Sequence, residues 1–256
     1  MLKKINRIAV SLFFPLVLLI CAVAFSDENG GGKEGVVTYV EGSAKKQKLE
    51  DIKWANIYKN SQVIGGERVR TFTQSRAELK LAELDEIRMA PKTTIDILKL
   101  YAETKDKIRE ANILLQEGDL WANVSSKDKK DMSFSIGTPV AVAAITGTIL
   151  RMSVTTDSSA ELKVYHGEVI LSHGPQSNKA IPRNITPHEI PGPHEVPGPR
   201  EVSLEEWALI VKSMQKVKVD KNGRVIHSGD FSRNDEDEKT DWVLWNLTRD
   251  QQKRDE

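Results

Sequence analysis

From residue 36 onward, apolar and polar positions alternate in short runs. "VVTYVEG", "AELKL", "EIRMA", "TTIDIL", "DMSFSIG", "TILRMSVTT", "ELKVYHG" and "EVILS" each carry β-branched residues and end on Gly, Pro, Ser or a charge cluster. A period of two puts every second side chain on one face, the pattern of a half-buried strand. Many such strands at this spacing predict an all-β roll, sandwich or solenoid. Residues 101–112, "YAETKDKIREAN", interrupt the series as a charged patch, readable as a hairpin tip or a helical turn.

The least polar stretch outside the N-terminus is "GTPVAVAAITGTILRM", residues 137–152. A membrane span needs ~20 apolar residues. Here Pro139, Thr146 and Thr148 interrupt the run and Arg151 ends it. A phosphate-binding loop needs clustered glycines leading into a helix, and Gly137 and Gly147 are too far apart for that. The remaining reading is buried strand, turn, buried strand. Its small residues allow close packing, and Gly147 suits a bulge or a positive-φ position.

The ends follow other rules. Residues 1–24 combine a basic start, "MLKKINR", with the apolar "IAVSLFFPLVLLI" and Ala22 and Ala24 in A-x-A register. This is the pattern of a signal peptide cleaved after Ala24. Two other readings stay open: an uncleaved anchor, and lipid attachment at Cys21, which Ile20 in place of a small residue disfavours. All three export the rest of the chain, to the periplasm or to a membrane tether facing it. Residues 25–35 read as a flexible leader and residues 36–174 as the β domain. Residues 175–202 hold the repeat P-H-E-I-P-G, P-H-E-V-P-G, P-R-E-V. Proline twice per repeat blocks helix and interior strand, predicting an extended linker. In residues 203–256, "SLEEWALIVKSMQKV" predicts a capped amphipathic helix with Trp207, Ile210, Val211 and Met214 on one face. "KVKVDKNGRVIHSG" predicts a hairpin turning at Asn222-Gly223. A charged tail with Trp242 and Trp245 closes the chain. Its aromatics either fold back on the domain or anchor a partner.

Charge and chemistry narrow the function. Lys plus Arg equals Asp plus Glu, at 37 each, which argues against a nucleic-acid partner. Cys21 is the only cysteine, so a cleaved chain has no disulfide, Cys metal site or thiol nucleophile. His188, Glu189, His194 and Glu195 lie on an extended repeat, not on a preformed metal cage. Asp220, Asn222 and Asp230 lack the remaining ligands of a calcium loop and read as turn residues. No metal or cofactor is expected. Among acids, Glu117 and Asp119 stand two apart around Gly118. On a strand they would share a face, and paired carboxylates such as these could serve a polymer hydrolase.

In order along the chain, several segments resemble the FecR domain. "VVTYVEG" opens the pattern and a "WANIYKNSQV" spacer follows. "GERVRT" (66–71), "SRAELKL" (75–81), "IRMAPKTTI" (87–95) and "LLQEGDLWANV" come next. The most specific part is "FSIGTPVAVAAITGTILRMSV", and "ELKVYHGEVIL" closes the series near residue 172. Two departures stand out: "LDE" replaces a D-G pair before the fourth segment, and the loop at 101–112 is long and charged. The resemblance implies an all-β roll, solenoid or jelly-roll-like domain, followed here by the Pro-rich spacer and a small α/β C-terminal segment. It implies a non-catalytic binding, signal-relay or scaffold module, with an envelope protein or a cell-wall glycan as partner. Seven residues precede the apolar segment, so the sigma-factor-binding bundle of signalling members is not expected. Gly66, Thr71, Pro91, Pro139, Gly147 and Thr148 are expected to set turns and close packing, and Trp207, Trp242 and Trp245 to be the candidate partner contacts. The alternative function is an envelope polymer hydrolase using Glu117 and Asp119.

Overall fold

The computed structural model describes residues 34–82, 85–103, 109–125, 132–174 and 207–255. The expected signal segment 1–24, nearly all of the leader and the Pro-rich repeat lie outside the described residues, as do Cys21 and the His-Glu pairs. Within the described residues the chain forms strands that alternate between two sheets. β1 (Gly35–Glu41) lies in the first sheet, β2 (Ala44–Lys48) and β3 (Ala55–Asn56) in the second, and β4 (Gln62–Val63) on the edge of the first. β5 (Glu67–Thr71) joins the second sheet, β6 (Arg76–Ala82) and β7 (Asp85–Met89) the first, and β8 (Thr94–Glu103) the second. β9 (Arg109–Asn123) belongs to both. Its first half pairs with β8 and its second half with β7. β10 (Met132–Gly137) and β11 (Ala141–Ile145) follow in the second sheet, then β12 (Ile149–Val154) and β13 (Ala160–His166) in the first. β14 (Glu168–His173) and β15 (Ala208–Lys212) return to the second sheet, and β16 (Gln215–Val219) and β17 (Val225–Asp230) to the first.

The result is an all-β roll. Its first sheet runs β4-β1-β6-β7-β9-β12-β13-β16-β17, antiparallel throughout. The second runs β3-β2-β5-β8-β9-β10-β11-β14-β15, parallel only between β9 and β10. The core lies between the sheets. Leu79, Ile87 and Leu120 enter it from one side, and Val69, Ile95 and Ile113 from the other, all buried. Each such side chain contributes about 1.5–3 kcal/mol on burial, so the alternating pattern selects this register over a one-residue slip.

The stretch 137–152 is strand, turn, strand. Thr138 closes the turn before β11: its hydroxyl accepts from the Ala141 amide at 2.9 Å, with Pro139 in the bend. Gly147 has φ +70°. Thr148 is buried beside it and donates through Oγ1 to the Glu168 carbonyl at 2.9 Å. Gly66, at φ +85°, turns the chain into β5. Of residues 101–112, 101–103 end β8 and 109–112 begin β9, with Glu103 opposite Arg109, and the others lie outside the described residues.

Two readings of the C-terminal region are corrected. Residues 208–212 and 215–219 are strands, not one helix. Their side chains fit a period of two as well as 3.6: Val211 is buried while Ile210 is exposed. What decides is that β14 and β13 each offer an unpaired edge, which β15 and β16 satisfy. Backbone pairing and β-branched residues then outweigh helix propensity. The second correction concerns the spacer as a link to a separate segment. Ser172 pairs with Ala208, and the His173 amide donates to the Trp207 carbonyl at 3.1 Å. The chain therefore returns to where it left, and the same two sheets continue. The hairpin at Asn222-Gly223 is present, with Gly223 at φ +77° and Asp220 accepting from the amides of Asn222 and Arg224 at 2.9 Å each. After a 3₁₀ turn at Glu236–Glu238, the tail forms α1 (Asp241–Asp255), which packs across the outer face of the first sheet.

Candidate functional site

At one rim of the roll, three turns and strand β9 line a groove of about 600 Å³. Arg70 and Phe72 come from the end of β5, Pro91 and Lys92 from the β7–β8 turn, Glu117 from β9, and Thr155 from the β12–β13 turn. The floor is preorganised by two buried threonines. Thr71 Oγ1 donates to the Ala90 carbonyl at 2.6 Å and accepts from the Thr93 amide at 3.0 Å. Thr93 Oγ1 donates to the Asp119 carbonyl at 3.2 Å and accepts from its amide at 3.1 Å. These bonds hold Lys92 at φ +55° and tie its amide to the Phe72 carbonyl at 3.2 Å. Sequence reading singled out Thr71 and Pro91 as turn formers, and the structure brings both to this groove.

A polar row crosses four strands of the second sheet: Lys45, Arg70, Thr94 and Glu117 stand opposite one another in register, and Arg70 and Glu117 line the groove. Arg70 Nε donates to Thr94 Oγ1 at 3.0 Å, and Thr94 Oγ1 donates to Glu117 at 3.1 Å. The Arg70 guanidinium lies over the Trp54 ring at 5.3 Å, which fixes its plane. Beside this row Phe72 is 38% exposed, with Lys45 Nζ 5.8 Å from its ring centroid. Arg70, Phe72, Lys92 and Trp54 were not expected as site residues. The only sequence signal for them is an aromatic directly after the "GERVRT" box and a basic residue after Pro91.

Glu117 and Asp119 do not act as a pair. Gly118 has φ +96°, and β9 passes there from one sheet to the other. Glu117 faces Thr94 and Arg70. Asp119 faces the opposite side, where Arg151 donates to it from Nε at 2.8 Å and from Nη2 at 2.5 Å, and Trp242 Nε1 donates at 3.1 Å. Burial raises the Asp119 carboxyl, and the Arg151 and Trp242 bonds offset this only in part. The shared face expected of the two acids is lost because the strand bends between them.

Asp119 belongs to a polar network between the first sheet and the C-terminal segment. Arg88 is 1% exposed. It donates to Glu78 at 2.8 Å, Glu86 at 2.9 Å and Asp250 at 2.7 Å. Asp250 also accepts from Trp121 Nε1 and Asn123 Nδ2, both at 2.9 Å. Lys163 Nζ donates to Glu238 at 2.7 Å and to Asp237, and Tyr165 donates to Glu238 at 2.6 Å. The three tryptophans expected as partner contacts pack inward. Trp242 is buried, and Trp245 is half-buried between Tyr39 and Trp242. Trp207 Nε1 donates to the Gly223 carbonyl at 2.8 Å. They anchor the chain's own C-terminal region, because the sheet beneath offers aromatic and polar partners.

Burial alone would raise the Glu78 carboxyl, but hydrogen bonds from Arg249, Thr38 and Arg88 hold it at about 2, against an ordinary 4.5. A depressed carboxyl stabilises the fold above its unfolded pKa, and this contribution is lost as the pH falls through the folded value. The stability difference between wild type and Glu78→Gln is therefore expected to be constant above the 4.5 region and to shrink as the pH approaches 2. Urea unfolding at stepped pH measures it, and a difference independent of pH would refute the ionic role of Glu78.

Residues 67–170 match the family model described as FecR protein. The matched part runs from β5 into β14 and includes the residues that line the groove, but not Lys45 or Trp54. Two crystal structures, at 1.65 and 2.50 Å, of a protein provisionally assigned as an anti-sigma factor from Parabacteroides distasonis ATCC 8503 are similar. Each is 12% identical, with a TM-score of 0.42 over 64% of this chain and 59% of that one. The similarity thus spans less than two thirds of that protein. No curated protein sequence matches the chain. Among the described residues, no helix is long and apolar enough to cross a membrane.

Proposed function

We propose that this protein is a non-catalytic FecR-domain module of the bacterial cell envelope, exported to the periplasm or tethered facing it. It binds an envelope protein or a cell-wall glycan and serves as a signal-relay or scaffold element. The FecR match supports a regulatory role over a catalytic one. The observation that carries the reading is the preorganised rim groove, where cations, hydroxyls and one exposed aromatic face an open concavity. A few polar groups placed in a concave, partly apolar site are the usual anatomy of binding. The hydrolase alternative needs two titratable groups converging on one reacting atom, whereas Glu117 and Asp119 point to separate partners.

The test uses the full-length chain, because truncation after residue 174 would remove β15, β16, β17 and α1 from the fold. A photo-reactive residue is placed at Phe72 and, as a control, at exposed Ile226 on β17. Cells are irradiated and the envelope fraction is examined by mass spectrometry. A defined protein or glycan adduct at Phe72 and not at Ile226 is the expected result. Recovery of the chain in the cytoplasmic fraction, or no adduct specific to Phe72, would sink the reading.

A further inference from the structure

We infer that the rim groove is a binding site for an acidic oligosaccharide of the uronate type, a ligand class that rests on the binding-module reading and sharpens it. Sugar sites need a flat apolar face for the C–H side of a pyranose ring, planar donors and acceptors for its hydroxyls, and a way to hold the ligand at little reorganisation cost. The groove has each. Phe72 presents its ring at the rim, 38% exposed, with Pro91 and Val154 as further apolar wall. Arg70 contributes a planar guanidinium whose orientation is set by Trp54 behind it and by the Thr94 hydroxyl. Glu117, with its side chain half exposed, is the acceptor beside it, 3.7 Å from Arg70 Nη2. Thr73 and Thr156 line the same groove.

Charge decides between a neutral and an acidic sugar. Two cations, Arg70 and Lys92, line the groove against the single carboxylate of Glu117, and Lys45 stands next to it by Phe72. The chain as a whole is balanced, with 37 basic and 37 acidic residues, so the local excess is a property of this rim. Lys45 Nζ lies 5.8 Å from the Phe72 centroid. A sugar stacked on that ring therefore places a ring carboxylate between Lys45 and Arg70, where a guanidinium binds carboxylate by two parallel bonds. Lys92 is held at the far lip by its own backbone bond to Phe72. An acidic peptide would satisfy the same cations but would leave the exposed ring face unused by its backbone.

The test is calorimetric titration of the full-length protein with a galacturonate oligosaccharide, a neutral cello-oligosaccharide of equal length and a short poly-glutamate peptide. The galacturonate oligomer is expected to bind saturably, more weakly as salt rises, and the other two not to bind. Arg70→Gln should weaken it by about tenfold or more, the usual consequence of losing a charge-assisted bond. Phe72→Ala should do the same without the change in salt dependence, and Lys92→Asn, which tolerates the left-handed backbone, should reduce that dependence. Thermal unfolding of each variant checks that the fold is kept. Binding of the neutral sugar with equal affinity, preference for poly-glutamate, or no saturable binding would each overturn the assignment, while leaving the binding-module reading to the cross-linking result. Chromatography of the recovered oligomer separates the two conclusions further. An intact oligomer supports both. Shortened chains would keep the ligand class and overturn the non-catalytic reading.

Discussion

Arg88→Ala is expected to lower stability by about 3–5 kcal/mol, the range for breaking a buried ion pair from one side. In a domain of this size that shifts the thermal midpoint by roughly 10 °C. The reason lies in what remains. Arg88 is enclosed between the first sheet and α1, and its three bonds reach Glu78, Glu86 and Asp250. Removing it leaves carboxylates buried without their cation, and Arg249 and Lys253 compensate only Glu78 and Glu86. Asp250 keeps the neutral donors Trp121 and Asn123, which do not cancel its charge. Hydrogen exchange should therefore show α1 opening ahead of the sheets. Arg88→Met combined with Glu78→Gln and Asp250→Asn is expected to recover part of the loss, because a neutral replacement of a whole network avoids the uncompensated charge. A single Arg88→Ala variant with an unchanged midpoint would show that the network contributes nothing net.

Gly118→Val is the second large effect, expected at about 3–5 kcal/mol from strain and overpacking together. The backbone at Gly118 has φ +96°, where β-branched residues are strained. A Cβ there would also meet Thr93, with its Cα at 2.6 Å. That neighbour cannot yield cheaply, since the Thr93 hydroxyl clasps both backbone groups of Asp119. The same clasp floors the rim groove, so ligand binding and stability should fall together, measured by denaturant unfolding and titration on one preparation. A stable Gly118→Val protein would mean that β9 can pass between the sheets without this bend.

The strand series was legible in the sequence because a two-layer roll imposes one rule on every strand: inward positions must be apolar. Leu79, Ile87, Ile95 and Leu120 obey it and could be read without a structure. Turn chemistry was legible for the same kind of reason. Gly66, Gly147 and Gly223 occupy positive φ, and a missing side chain states that need locally. The outward positions of the first sheet were not legible. Arg88, Lys163 and Asp119 look like solvated surface charges, and nothing in their spacing says that a helix covers them. α1 itself escaped detection because its buried face carries Asn246 and Asp250 among Trp242 and Val243, which breaks the apolar stripe that periodicity detects.

The segment 208–219 shows the opposite failure. Its apolar spacing suits a helix in isolation, but β13 and β14 leave edges that only strands can pair. By itself the sequence determined the all-β class, the positions of most strands, the turn residues and the FecR resemblance, because each depends on neighbours a few residues away. Tertiary structure alone decided the fate of the tryptophans, the separation of Glu117 from Asp119, and the convergence of Arg70, Phe72, Lys92 and Thr155 on one rim. Those outcomes depend on which edges are free and which surfaces are covered. Such properties belong to the assembled sheets and leave no periodic trace along the chain.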